Sequence, residues 1–149
     1  MRIVVADDDP EILRIVAKGL WAAGFEPLVA ADALQVMVFA HQYKPSAILL
    51  DINMPAGSGL GALKLLKMSR KTKPIPVIVM SATADEGAPD AARALGAVEF
   101  FHKPLDMNAL LAKVRQVTGA AAPGESEAGK ATAAKSANLY VVPKKTSVA

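Results

Sequence analysis

Residues 46–59 read Ser-Ala-Ile-Leu-Leu-Asp-Ile-Asn-Met-Pro-Ala-Gly-Ser-Gly. An apolar run, Ala47 to Leu50, stops on a carboxylate, Asp51, and passes at once into Met54-Pro55 and the turn residues Gly57 and Gly59. A run this short, ended by turn chemistry, suits a strand buried on both faces; a helix needs a longer periodic segment. Asp51 is therefore placed at the carboxyl end of a buried strand. An acid in that position commonly caps the next helix. In open α/β sheets it is also where ligand and catalytic groups collect.

The chain on either side repeats the pattern. Ile3 to Ala6 is a first buried strand ending in Asp7-Asp8-Asp9, and Pro10 stands where a helix begins. Ile12, Ile15, Val16, Gly19, Leu20 and Ala23 follow at helical spacing. Leu28 to Ala31 is predicted as the second strand, and Asp32 as the cap of a helix with Leu34, Met37, Val38 and His41 on its inner face. A third helix starts near Ser58 and buries Leu60, Leu63 and Leu66. Val77 to Met80 is a fourth strand delivering Ser81. Gly87 and Pro89 delay the next helix, predicted over 90–95, leaving 84–90 as the loop expected to be least protected. Val98 to Phe101 is a fifth strand, ended by Lys103-Pro104, and Leu110, Leu111, Val114 and Val117 mark a last helix.

Composition bounds the class. A chain of 149 residues with 52% hydrophobic and 21% charged residues is that of a globular domain of ordinary size. No apolar run approaches the roughly 20 residues of a membrane span, and no signal-peptide pattern follows Met1, so a cytoplasmic protein without membrane contact is expected. The absence of cysteine excludes disulfides and thiolate-bound metals. The net charge of +3 points to nucleic acid only weakly. Four Lys and two Glu fall from Gly119 onward, leaving thirteen basic against twelve acidic residues in the body.

Five strands alternating with five helices predict a doubly wound α/β fold with a parallel sheet, its helices on both faces and all strand carboxyl ends along one edge. That edge would receive Asp7 and Asp8 from the first strand, Asp51 from the third, Ser81 from the fourth and Lys103 from the fifth. Converging carboxylates repel by about 4 kcal/mol per pair at an effective dielectric near 20, which calls for a compensating cation. An all-oxygen donor set suits a hard divalent ion, and Mg²⁺ is expected. Lys103 adds a fixed positive charge and Ser81 a hydroxyl donor, the parts needed to hold a phosphoryl group for transfer to a carboxylate.

Residues 1–118 resemble a response-regulator receiver domain, the phosphorylatable module of two-component signalling with a flavodoxin-like, five-stranded sheet of order 2-1-3-4-5. The resemblance rests on Val5-Ala6-Asp7-Asp8-Asp9, Asp51-Ile-Asn-Met-Pro55 with Gly59, Met80-Ser81-Ala82 and Phe100-Phe-His-Lys103-Pro104, four pieces in order at four strand ends. It implies that Asp51 accepts a phosphoryl group from a sensor histidine kinase or phosphotransfer protein. It implies Asp8, Asp51 and the Asn53 carbonyl as Mg²⁺ ligands, with Asp7 holding a metal-bound water, and Ser81 and Lys103 on the phosphoryl oxygens. On phosphorylation Phe100 would turn inward, remaking the face of helix four, strand five and helix five, through which an unidentified protein target or a second copy would bind. The resemblance makes the chain a signalling domain and not an enzyme, apart from its own phosphorylation and dephosphorylation.

Other conspicuous residues have plainer readings. Trp21, with Leu13 and Ala17, is expected at the edge of the core, and His41 to pack inside. His102 is expected on the side of the fifth strand opposite Lys103, with no catalytic role. Lys64, Lys67, Arg70, Lys71 and Lys73 read as a solvated helix face. From Gly119 the composition shifts to Ala, Gly, Ser, Lys and Pro, marking residues 119–149 as a tail in which 138–142 is apolar, β-prone and suited to docking. Its 31 residues are too few for a familiar DNA-binding output domain. Two other classes remain. A haloacid-dehalogenase-type hydrolase would use Asp7 in the Asp7-to-Asp9 pair, but the following Gly-Thr is missing and the 51–55 segment is unexplained. A receiver fold kept only for protein interaction would not require Asp7, Asp8, Asp51, Ser81 and Lys103 together.

Overall fold

The structure is a computed structural model that describes residues 1–54 and 59–120. Pro55, Gly57 and Ser58, and the 138–142 segment of the tail, lie outside the described residues. Strands β1 (Arg2–Ala6), β2 (Glu26–Ala30), β3 (Ala47–Asp51), β4 (Val77–Ser81) and β5 (Glu99–His102) alternate with helices α1 (Pro10–Ala22), α2 (Ala33–Tyr43), α3 (Gly59–Met68), α4 (Ala88–Ala94) and α5 (Met107–Thr118). The strands form one parallel sheet in the order β2-β1-β3-β4-β5, the arrangement expected from sequence. No helix of the described residues is long and apolar enough to cross a membrane.

Side chains alternate across the sheet, so each strand feeds two cores. Ile3, Val5, Ala47, Leu49, Ile78 and Met80 pack with Val16 and Leu20 of α1 and Leu110 and Val114 of α5. Val4, Ala6, Ile48, Leu50, Val77, Val79 and Phe100 pack with α2, α3 and α4 through Val36, Phe39, Leu63, Leu66 and Ala92. Strands covered on both faces read as unbroken apolar runs.

Several local expectations are corrected. β2 starts at Glu26, ahead of Leu28, because it is an edge strand bonded only to β1 and can accommodate Pro27, which has no N–H to donate. On α2 the buried residues are Val36, Phe39 and Ala40, whereas Leu34 and Val38 are 73% and 48% exposed. His41 is likewise exposed, its Nδ1 3.0 Å from the Met37 carbonyl and its Nε2 3.4 Å from Ser69 Oγ. Apolar residues occupy nearly every side of α2, so periodicity alone could not pick its inner face. Ile15 of α1 is exposed too, while Trp21 is half-buried as expected. Leu60 of α3 is only half-buried, and Ala62 joins Leu63 and Leu66 inside.

Lys67 leaves the solvated basic face to which it was assigned. Its Nζ donates to the carbonyls of Lys73 at 2.9 Å and Ile75 at 2.7 Å, and its stem lies across Gly96, where an added Cβ would sit 2.9 Å from Lys67 Cγ. Burial, with Lys73 adding repulsion, holds its ammonium below the ordinary value. Helix α4 has only 7 residues. It spans 88–94 and not 90–95: Pro89 sits in its first turn, where a missing N–H costs no helix bond, so 88–90 belong to the helix and not to the expected loop. The preceding turn is closed by the Gly87 N–H donating to Asp85 Oδ1 at 2.9 Å.

Candidate functional site

Strand parity sorts the candidate residues before any contact is considered. Asp7 continues the Ile3 and Val5 row of β1, Asp51 continues the Ala47 and Leu49 row of β3, and Lys103 follows the Phe101 row of β5. All three therefore fall toward the α1/α5 side of the carboxyl edge, and there they meet. Lys103 Nζ donates to Asp7 Oδ2 at 2.6 Å and lies 3.5 Å from Asp51 Oδ2. The Lys103 N–H donates to the Ser81 carbonyl at 2.8 Å, which fixes the lysine to the end of β4.

Asp7 and Asp51 are almost fully buried, and each is held by the backbone that follows it. The Asp9 N–H donates to Asp7 Oδ1 and the Asn53 N–H to Asp51 Oδ1, both at 2.9 Å. Asp8 is exposed but can bring a carboxylate oxygen to the same place; Asp7, Asp8 and Asp51 each offer one, all within 4.8 Å of one another. Asp9 caps α1, accepting from the Glu11 N–H at 2.9 Å.

The charges are unbalanced. Burial raises the Asp7 carboxyl above its ordinary value and the Asp51 charge adds to this, while Lys103 and the Asp9 N–H pull the other way. For Lys103, burial alone would lower the ammonium. The hydrogen bond to Asp7 and the charges of both aspartates outweigh it and hold the group above its ordinary value. One cation is thus shared by two buried carboxylates with a third nearby. That excess of negative charge on hard oxygen donors fits a divalent cation such as Mg²⁺.

Ser81 continues the Val77 and Val79 row, and so shares the opposite side of the sheet with Phe100. Its Oγ accepts from Asn53 Nδ2 at 3.1 Å and from the Thr83 N–H at 3.0 Å. Phe100 is already buried, 7% exposed, with the exposed His102 ring 5.0 Å away on the same side of β5. The expected inward turn of Phe100 therefore has no outward starting point in this structure. Its row puts it in one buried cluster with Val79 of β4 and Ala88 and Ala92 of α4. His102 lies opposite Lys103, as expected.

Two features escaped the sequence. The Asn53 side chain, expected to contribute only a backbone carbonyl, links the Asp51 turn to Ser81. Gly59, expected as a turn residue, opens α3 directly against the end of β3: its N–H donates to the Ile52 carbonyl at 3.1 Å, and an added Cβ would strike the Ile52 Cα and the Asp51 carbonyl oxygen. The quoted motif contained both residues, but their roles depend on how close two loops come.

Residues 3–115 match the family model described as the response regulator receiver domain. The chain is 32% identical over 126 residues to the phosphate regulon transcriptional regulatory protein PhoB of Pseudomonas aeruginosa, an alignment covering 85% of this chain and 55% of PhoB. Among solved structures it is similar to the chemotaxis response regulator CheY4 of Vibrio cholerae, with 26% identity, a TM-score of 0.72, and coverage of 78% of this chain and 97% of that one. The receiver domain of the sensor histidine kinase PA1611 from Pseudomonas aeruginosa, with a magnesium ion coordinated in its active site cleft, shares the fold at 22% identity and a TM-score of 0.73, covering 79% and 97%. The chain spans about half the length of the curated relatives it matches first.

Proposed function

The chain belongs to the response regulator receiver domain family, and we propose that it accepts a phosphoryl group on Asp51 from a sensor histidine kinase or phosphotransfer protein. The observation that carries this is the position of Asp51: at the end of a central strand, one oxygen fixed by the Asn53 N–H and the other 3.5 Å from Lys103 Nζ. Asp7, the nucleophile of the hydrolase alternative, has both oxygens engaged, with Oδ2 at 2.6 Å from the same ammonium.

In the transfer, an Asp51 carboxylate oxygen forms a bond to phosphorus as the phosphorus–nitrogen bond of the donor phosphohistidine breaks, and the leaving imidazole takes up a proton. Asp8, Asp51 and the Asn53 carbonyl would hold Mg²⁺, with Asp7 placed to bind one of its waters. When bound, the ion neutralises charge on the phosphoryl oxygens and orients them. Lys103 supplies a further positive charge on the Asp51 side of the group. Ser81, on re-aiming its hydroxyl at a phosphoryl oxygen, would give up acceptor bonds from Asn53 and Thr83. Through Asn53, that change reaches Ser81 from the Asp51 turn, and Phe100 next to it responds within an already buried setting.

The output proposed is a changed protein-binding surface on α4, β5 and α5, open to a protein target or a second copy, with no direct contact to nucleic acid or membrane. The receiver fold accounts for the described residues. The test is intact-mass measurement after incubation with acetyl phosphate, with and without Mg²⁺, on the chain and on Asp51→Asn. A labile phosphoryl mass that needs Mg²⁺ and is absent from Asp51→Asn supports the reading. Undiminished incorporation into Asp51→Asn contradicts it.

A further inference from the structure

Four large apolar side chains stand in solvent on the outer surfaces of two adjacent helices. On α2, Leu34 and Val38 are 73% and 48% exposed; on α3, Leu65 and Met68 are 53% and 69% exposed. Leu34, Val38 and His41 follow one another at i, i+4 and i+7 along α2. Leu65 and Ser69 lie one turn apart at the end of α3, and the contact of Ser69 Oγ with His41 Nε2 at 3.4 Å puts that row beside α2. The two rows therefore come side by side at the carboxyl ends of the two helices. Lys67 is on the opposite flank of α3, over Gly96.

The exposed charge carried by α2, α3 and the segment after α3 has one sign. Between Asp32 and Asp85 the sequence holds a single acidic residue, Asp51, and that one is buried at the carboxyl edge of the sheet. The same span carries Lys44, Lys64, Lys67, Arg70, Lys71 and Lys73. All but Lys67 are exposed, and Arg70, Lys71 and Lys73 follow directly on the end of α3. Apolar rows that end in a basic rim are complementary to an amphipathic helix with a negatively charged end.

We propose that the α2–α3 face docks a helix of a partner protein, apolar where it meets Leu34, Val38, Leu65 and Met68, and acidic where it meets Lys64, Arg70 and Lys71. A second copy of this chain would bring two basic rims together, which disfavours self-association here. Nucleic acid would gain nothing from the apolar rows. An anionic bilayer is matched in charge, but the patch offers no Trp or Phe of the kind that anchors interfacial helices.

The test is an NMR titration of the isotope-labelled full chain with two designed helical peptides of opposite helix direction. Both carry Leu at i, i+4, i+7 and i+11 and Glu at one end, and a scrambled peptide of the same composition is the control. The expected result is saturable shift change in α2 and α3 for at least one design, weakened about tenfold by Leu34→Ser with Leu65→Ser and again by Lys64→Glu with Lys71→Glu. Unchanged melting of the variants shows that the fold is intact. The proposal is overturned by no saturation at millimolar peptide, by equal binding of the scrambled control, or by affinity that ignores both double variants. It is also overturned if phosphatidylglycerol vesicles, a DNA duplex or a second copy occupies these residues while the peptides do not.

Discussion

The two sides of the sheet contribute different halves of the site. The α1/α5 side carries charge, in Asp7, Asp51 and Lys103. The α2/α3/α4 side carries a hydroxyl and an aromatic ring, in Ser81 and Phe100. The acidic first half fits a divalent cation; in the proposed function it also takes the phosphoryl group, and the second half passes the change on to a surface. Only the Asn53 side chain and the backbone bond from Lys103 to Ser81 cross between them among the bonds described. The same two sides differ outside the site: Leu34, Val38, Leu65 and Met68 are left exposed on the second, against Ile15 on α1.

The strongest way to disturb this division is to remove the shared cation. Lys103→Met leaves two buried carboxylates facing each other and is expected to cost about 3 kcal/mol in urea unfolding without Mg²⁺. The carboxyl of Asp7 is held above its ordinary value of 3.8, so its charged form is the one the fold disfavours. Stability lost in the variant should accordingly be regained as pH falls through that raised value towards 3.8. A loss that grows on acidification would break the account of the charged half.

Gly59→Ala probes the junction of α3 with β3. A methyl group directed at the Ile52 Cα and the Asp51 carbonyl oxygen must move either the helix or the site, with an expected loss of about 2 kcal/mol in thermal or urea unfolding. Asn53→Ala sharpens the comparison further, because it removes the bond to Ser81 and keeps the backbone N–H to Asp51. It should cost about 1 kcal/mol, leave phosphoryl incorporation in place, and reduce the amide shift changes around Ser81 and Phe100 that follow it. Full retention of those changes would show that the halves communicate by another route.

The smallest effect is expected at the rim of the α4–β5–α5 face. Glu99 accepts from the Phe100 N–H at 3.0 Å and pairs with Arg93 at 3.0 Å and Lys113 at 3.6 Å. The Phe100 N–H lowers its carboxyl below the ordinary value of 4.5, Arg93 and Lys113 add to this, and partial burial opposes it. A depressed carboxyl stabilises the fold above its unfolded value and loses that contribution as pH falls through its folded one. Glu99→Gln should therefore cost about 0.5 kcal/mol at neutral pH, discounted for the solvent exposure of its partners, and nothing well below pH 4.5. Chemical denaturation across that range checks it.

The charged half of the site was the more legible in sequence. Strands covered on both faces are unbroken apolar runs, and each ended on the residue that serves the edge: Asp7, Asp51, Ser81 and then Lys103. Period-two alternation also placed His102 opposite Lys103. What stayed hidden was set by neighbours. The inner face of α2 could not be chosen because Leu34, Met37 and Val38 compete with Val36, Phe39 and Ala40 for it. The bridge from Asn53, the contact at Gly59 and the seat of Lys67 over Gly96 each need the distance between two loops, and periodicity carries no such distance. The burial of Phe100, in one cluster with Ala88 and Ala92 of α4, is likewise set by packing between elements.

The most direct test of the central claim is to locate the bond itself. The chain is phosphorylated with acetyl phosphate and Mg²⁺, the acyl phosphate is reduced with borohydride, and the peptides are sequenced by mass spectrometry. Reduction converts a phosphorylated aspartate to homoserine. The account predicts that conversion at position 51 alone; conversion at position 7 or 8, with residue 51 intact, contradicts it.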